Sequence, residues 1–189
     1  MKTIKSTSIA ATTLLILTSS VTPANADSIS KIDGSTATSI QLSETENKIS
    51  IEETIRLLQY KKNTDLVNAN IKKLRSYVGK TWYVFSGATP SGWDCSGLTM
   101  WFYEQLGIEL EHRATVQALG GEKVFDPKPG DIVAFHYENS KKAYHVGIYI
   151  GDGLMIHSPA PGKSTSIDNV VRFGGNYSDI SYIRYIETI

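Results

Sequence analysis

The stretch "GWDCSGLTMWFYEQLG", Gly92 to Gly107, holds the only cysteine of a 189-residue chain, Cys95, between Asp94 and Ser96. Leu98, Trp101, Phe102 and Leu106 fall at i, i+3, i+4 and i+8, one apolar helix face, and Gly107 is a residue type that ends helices. The pattern predicts a helix from about Cys95 to Leu106 with the thiol in its first turn. There, free backbone N–H groups and the positive end of the helix dipole favour the thiolate, so the expected pKa lies below the free value of about 8.5. A thiolate so placed is a nucleophile, and the same N–H groups can hold the oxyanion formed when it attacks a carbonyl.

Whether a lone thiol is reactive depends on the compartment. Residues "MKTIKSTSIAATTLLILTSSVTPANA" divide into a basic start (Lys2, Lys5), an apolar middle from Ile9 to Leu17 and a small-residue end, Ala24-Asn25-Ala26. This predicts a signal peptide over 1–26, cut after Ala26, and an exported mature chain, extracellular or in the cell wall. The apolar run is far shorter than the roughly 20 residues of a spanning helix, so no transmembrane segment is expected. No cysteine lies near the cut, which argues against a lipid anchor. Cleavage takes two of the 19 basic residues against 19 acidic ones, for a net charge of −2. Such a balance gives no electrostatic reason to expect nucleic acid or an anionic membrane as partner. Exported proteins use cysteines mainly in pairs, so a single one is either an incidental buried thiol or a reactive group.

Along the rest of the chain, Asp27 to Glu44 is Ser/Thr-rich and aperiodic, the composition of a flexible segment. Ser43-Glu44-Thr45-Glu46 has the form of a capping box, followed by Ile51, Ile55 and Leu58, and predicts a helix over roughly 44–60. That apolar stripe is expected to dock on the domain that follows. Asp65 reads as the N-cap of a second helix with Val67, Ile71, Leu74 and Val78 on one face and Gly79 at its end. The organisation is therefore an extension over 27–65 and one domain over 66–189. A short helix is expected near Thr115 to Leu119. After Pro127 to Gly130 the segments "DIVAF", "HVGIYIG", "LMIHS" and "ISYIRYI" read as strands. Helices first and strands later imply an α+β domain, an antiparallel sheet packed against the Cys95 helix.

A cysteine nucleophile needs a general base, normally histidine, and the chain has His112, His136, His145 and His157. "HVGIYIGDGLMIH" reads as a hairpin with the three-residue loop Gly151-Asp152-Gly153, so that cross-strand partners sum to 304. His157 then faces Gly147, and His145 is its diagonal neighbour on the same face, within reach of a second ring. A two-residue loop would instead place the two histidines on opposite faces. The assignment is Cys95 as nucleophile, His145 as base and His157 as the group that orients it. His112 and His136 read as rings without a role. A zinc site of His136, His145 and His157 leaves Cys95 unexplained and lacks the helical His-Glu-x-x-His signature, so no metal or cofactor is expected.

"DCSGL" at Asp94 to Leu98, "PGDIVAF" at Pro129 to Phe135 and "HVGIYIGDGLMIH" at His145 to His157 together resemble the NlpC family, papain-like cysteine peptidases of the bacterial cell wall. The resemblance spans about Leu66 to Ile186. It implies a papain-like fold with the cysteine on a helix and the histidines on an antiparallel sheet, and a Cys95–His145–His157 triad. It also implies substrate-binding roles for Tyr83, Asp94, Ser96 and Arg113. The implied activity is hydrolysis of peptidoglycan stem peptides, typically between D-γ-glutamate and the diamino acid. Ser86, where the family tends to have a glycine, and His112, where it has a proline, depart from the pattern beside the expected groove. Two alternatives are an N-acetylmuramoyl-L-alanine amidase of the related papain-like type and a peptide-binding homologue without activity.

Overall fold

The computed structural model describes residues 49–175 and 178–189. The capping box at Ser43 to Glu46 and the segment before it lie outside these residues. Helix α1 spans Ile51–Arg75, and its N-cap is Ser50, whose hydroxyl accepts from the Glu53 N–H at 3.1 Å. The two helices expected on either side of Asp65 are one. Residues 51–75 contain neither glycine nor proline, so nothing interrupts the hydrogen-bond ladder. Asp65 does not cap: its carboxylate turns outward to Lys61 one turn back, at 3.3 Å. The helix therefore runs straight through the boundary expected between extension and domain.

Only the second half of α1 is anchored. Val67, Ile71 and Leu74 are buried in the main core, whereas Ile51, Ile55 and Leu58 are 79%, 61% and 63% exposed. The expected docking of that stripe is not found among the described residues. Val67, which packs beside Gly130 just before β4, is the first buried residue of the helix, and every residue from Ile51 to Leu66 is exposed or only partly buried.

After α1 come the short hairpin β1 (Ala88–Thr89) and β2 (Gly92–Trp93), then α2 (Cys95–Glu104) and α3 (Ala114–Gly120). The strands β3 (Glu122–Val124), β4 (Ile132–Tyr137), β5 (Ala143–Gly151), β6 (Leu154–His157), β7 (Ser166–Asn169) and β8 (Ser178–Arg184) follow, with α4 (Val170–Gly174) between the last two. They form one six-stranded antiparallel sheet in the order β3-β8-β4-β5-β6-β7. The α+β class read from the sequence is the class observed. The chain's aromatic piece "WYVF" forms no strand of this sheet, making only single bridges, Trp82 to Ser164 and Tyr83 to Trp93. Two strands, β3 and β7, carry no alternating pattern; pairing with neighbours defines them.

Alternation along β4 supplies both cores. Ile132 and Ala134 face α2 and α1, and Val133 and Phe135 face Met155, Val170 and Phe173 on the other side. Helix α2 is buried on most of its circumference, with Leu98 and Phe102 fully buried, Tyr77 edge-on to Trp93 and Trp101 at 5.5 Å, and those two rings tilted against each other at 5.4 Å. The fit is tight at Gly97, where a Cβ would meet the Gly87 carbonyl oxygen at 1.9 Å. Where β4 begins, buried Asp131 takes Arg184 of β8 at 2.8 and 3.1 Å, tying these neighbouring strands together.

Candidate active site

Cys95 is the first residue of α2 because Asp94 caps it. Asp94 Oδ1 accepts from the Gly97 N–H at 2.8 Å and from the Ser96 hydroxyl at 3.0 Å, and Oδ2 accepts from the Ser86 N–H at 3.0 Å. His112 Nε2 lies 2.9 Å from the same Oδ1. Asp94 is thus the hub that holds the Ser86 loop, the His112 segment and the start of α2 around the thiol. Burial acts to raise its carboxyl, but the His112, Gly97 and Ser96 hydrogen bonds outweigh it and hold it below the usual range.

The thiol does not behave as helix position alone predicts. Burial raises the Cys95 pKa, and the Asp94 charge raises it further. The backbone N–H groups of Val146, Ser96 and Cys95 act in the opposite sense without overcoming burial. The expected lowering is therefore corrected: the dipole effect is present, but desolvation is larger. The influence of the Val146 N–H sets the thiol near β5, one residue from His145.

The β5–β6 hairpin differs from expectation in an instructive way. Gly151 pairs with Leu154, so the loop is the two-residue turn Asp152-Gly153, with φ of +54° and +70° as a type I′ turn requires. Taken alone, this would put the histidines on opposite faces. A bulge between Tyr149 and Gly151 inserts one extra residue and restores the register, so Ile148 pairs with Ile156 and Tyr149 with Met155. One step further, a Cβ at Gly147 would come within 3.0 Å of the His157 Cβ, so only glycine admits the ring there. His145 Nε2 and His157 Nδ1 meet at 2.7 Å with the rings nearly perpendicular.

Beyond the pair lies a group the sequence reading missed. His157 pairs with Ser166 of β7, and two residues on, Asp168 places Oδ2 2.7 Å from His157 Nε2. Ser166 donates its hydroxyl to that same Asp168 oxygen at 2.7 Å and lies 3.2 Å from His157 Nε2. Phe173 of α4 closes over both rings, 4.9 Å from His145 and 4.5 Å from His157. A strand reading of "SIDN" would have been needed to find Asp168, and that segment has only one apolar residue.

These surroundings set the charge states. Burial, and then the neighbouring His157, lower the His145 pKa to about 3. His157 is lowered by burial, which the Asp168 hydrogen bond and charge only partly offset. Burial would raise Asp168, but its bonds to His157 and Ser166 hold it below the usual range, so it is ionised. At neutral pH the site rests as a neutral thiol, two neutral imidazoles and two carboxylates, Asp94 beside the thiol and Asp168 beside His157.

The residues expected to bind substrate are dispersed in role. Tyr83 is half-buried beside the thiol, its phenol raised by burial and then by the Cys95 and Asp94 charges. Ser96 is buried, donating to Asp94 while its carbonyl accepts from Thr99 and Gln117, so it faces the protein. Arg113 is exposed at the start of α3 and makes no ion pair among the described residues. His136 binds Ser181 at 2.7 Å on β4, apart from His145 and His157. A cavity of about 560 Å³ lined by His136, Ser181, Asp179 and Lys123 contains none of Cys95, His145 and His157.

Comparison with known proteins agrees with this architecture. Over 82 residues the chain is 49% identical to a probable endopeptidase of Mycobacterium tuberculosis, covering 42% of this chain and 20% of that protein. It is 41% identical over 88 residues to the gamma-D-glutamyl-L-lysine dipeptidyl-peptidase of Bacillus subtilis, covering 45% and 30%. The chain thus spans about a fifth to a third of the length of these relatives. The solved NlpC/p60 domain of the peptidoglycan hydrolase SagA superposes with a TM-score of 0.54 at 33% identity, covering 62% of this chain and 98% of that one. The model of the NlpC/P60 family matches residues 79–181, more than half of the sequence and all of the cysteine–histidine site, and the chain belongs to that family.

Proposed function

We propose that this protein is an exported cysteine peptidase that hydrolyses an amide bond of peptidoglycan stem peptides. The observation that carries the reading is the hydrogen-bonded line from His145 to His157, set on the strand whose next residue, Val146, acts on the Cys95 thiol. His145 is engaged with His157 through Nε2, which leaves Nδ1 to accept the thiol proton. The sulfur attacks the scissile carbonyl carbon, and N–H groups at the start of α2 stabilise the oxyanion. Collapse breaks the C–N bond as the His145 proton passes to the leaving amine. Water then attacks the thioester, with His145 again as base, and releases the carboxylate product and the free thiol.

The bond proposed is the one between D-γ-glutamate and the diamino acid. Support comes from the Bacillus subtilis relative above, named for a γ-D-glutamyl-L-lysine substrate. A second relative from that organism, a gamma-DL-glutamyl hydrolase, is 41% identical over 99 residues, half of this chain and 24% of that protein. Export rests on the leader cut after Ala26. Digestion of purified peptidoglycan followed by mass spectrometry of the new ends tests the reading. A free amine on the diamino acid is expected; a free muramoyl carboxyl means an amidase, and no product means a binding protein.

A further inference from the structure

The cysteine–histidine chemistry imposes a polarity on the imidazole pair that the two rings cannot set for themselves. The 2.7 Å bond between His145 Nε2 and His157 Nδ1 can run either way. If His157 donates, His145 Nε2 is the acceptor, its neutral ring carries the proton on Nδ1, and no lone pair faces the thiol. If His145 donates, Nδ1 is free to act as base. Only the second arrangement works.

The third strand decides between them. Asp168 Oδ2 lies 2.7 Å from His157 Nε2, and an ionised carboxylate only accepts, so the proton of neutral His157 sits on Nε2. His157 Nδ1 is then an acceptor, and His145 must donate to it. Ser166 donates to the same carboxylate oxygen and fixes its position on β7.

We infer that Asp168 is a positioning residue for the thiol chemistry: through His157, its carboxylate keeps His145 Nδ1 unprotonated and aimed at Cys95. This rests on His145 being the base, as proposed above. The arrangement also provides a place for the charge that forms in the reaction. When the Cys95 proton moves to His145 Nδ1, the His145 Nε2 proton can move to His157 Nδ1. The cation then resides on His157 next to a carboxylate whose side chain is 46% exposed, instead of on His145 between Phe135 and Phe173. The products of that step are a thiolate, neutral His145, cationic His157 and an unchanged Asp168 carboxylate, so protons and charge balance.

The test needs no peptidoglycan. Alkylation of Cys95 by iodoacetamide at neutral pH is followed in wild type, Asp168→Asn and His145→Ala, and imidazole tautomers are read by nitrogen-15 NMR. Wild-type His157 is expected as the Nε2–H tautomer. Asp168→Asn should mix the tautomers and slow alkylation between about 10- and 100-fold, less than loss of a base, about 10²–10⁴-fold. On peptide substrate the same variant should lose kcat with KM unchanged, and Asp168→Glu should recover part of it. A wild-type His157 protonated at Nδ1 overturns the inference without any variant. So does an Asp168→Asn protein that alkylates at the wild-type rate while His145→Ala does not. If His145→Ala also alkylates at the wild-type rate, the base assignment itself falls and this inference with it.

Discussion

Acidification below neutral pH should destabilise this protein through His145. The ring is buried between Phe135, Phe173 and His157, and its pKa falls from 6.5 to about 3. The folded-state value is thus the lower one. Above pH 6.5 neither state binds the proton and His145 contributes no pH dependence. Below it the unfolded chain takes up a proton that the folded protein refuses, and stability declines by about 1.4 kcal/mol per pH unit until about pH 3. Between pH 7 and pH 5 the loss is ~2 kcal/mol, a drop in thermal midpoint of roughly 4–8 °C for a domain of this size. Urea denaturation of wild type and His145→Gln at both pH values measures it. The glutamine can still donate to His157 Nδ1 but has nothing to titrate, so wild type should lose ~2 kcal/mol more than the variant. The carboxylates are common to both proteins and drop out of the difference, which therefore reports on the histidine pair. Equal losses, or a His145 ring signal titrating near pH 6.5 in the folded protein, would refute the reasoning.

Cys95→Ser should fold normally and retain less than about a hundredth of wild-type turnover, because a hydroxyl is too weak an acid for a site that leaves even a thiol un-ionised; a melting curve and a peptide-release assay decide. His157→Ala is expected to keep more activity than His145→Ala, since the base survives in the first and is lost in the second; the reverse order, with both proteins folded, would exchange their roles. Along α1, Leu74→Ala should cost about 2–5 kcal/mol and Ile55→Ala less than about 0.5, so similar losses would contradict the half-anchored helix. Ser86 holds φ at +59°, strained for any residue with a Cβ, and Ser86→Gly should stabilise the fold by about 1 kcal/mol in thermal or urea unfolding.

Local pattern reached as far as its period did. The Cys95 helix, the strands from Ile132, Ala143, Leu154 and Ser178, and the α+β class were all legible, because apolar residues at helical or alternating spacing report directly on which face is buried. The break expected at Asp65 shows where such reasoning stops. A capping residue type permits a helix start without requiring one, and the choice depended on Lys61 and on the lack of a breaker nearby. The histidine pairing is subtler. The sequence reading placed both rings on one face by assuming a three-residue loop, whereas the chain uses a two-residue turn and a bulge that compensate. The register of the histidines follows from hydrophobic alternation along the strands; how the turn achieves it does not.

By itself, the sequence determined the thiol's place at a helix start, the strand hairpin that carries two histidines, and membership of a family, all of them written in contiguous residues. Tertiary structure alone decided what surrounds them. Desolvation and the Asp94 charge reverse the expected shift of Cys95, because burial is a property of everything packed around a group and not of its position in a helix. Asp168 reaches His157 only because β7, a strand with no alternating pattern of its own, pairs with β6 in the one register that sets Ser166 opposite the ring. Eleven positions separate that carboxylate from its histidine in the chain, and only the hydrogen bonds of the sheet bring them to 2.7 Å.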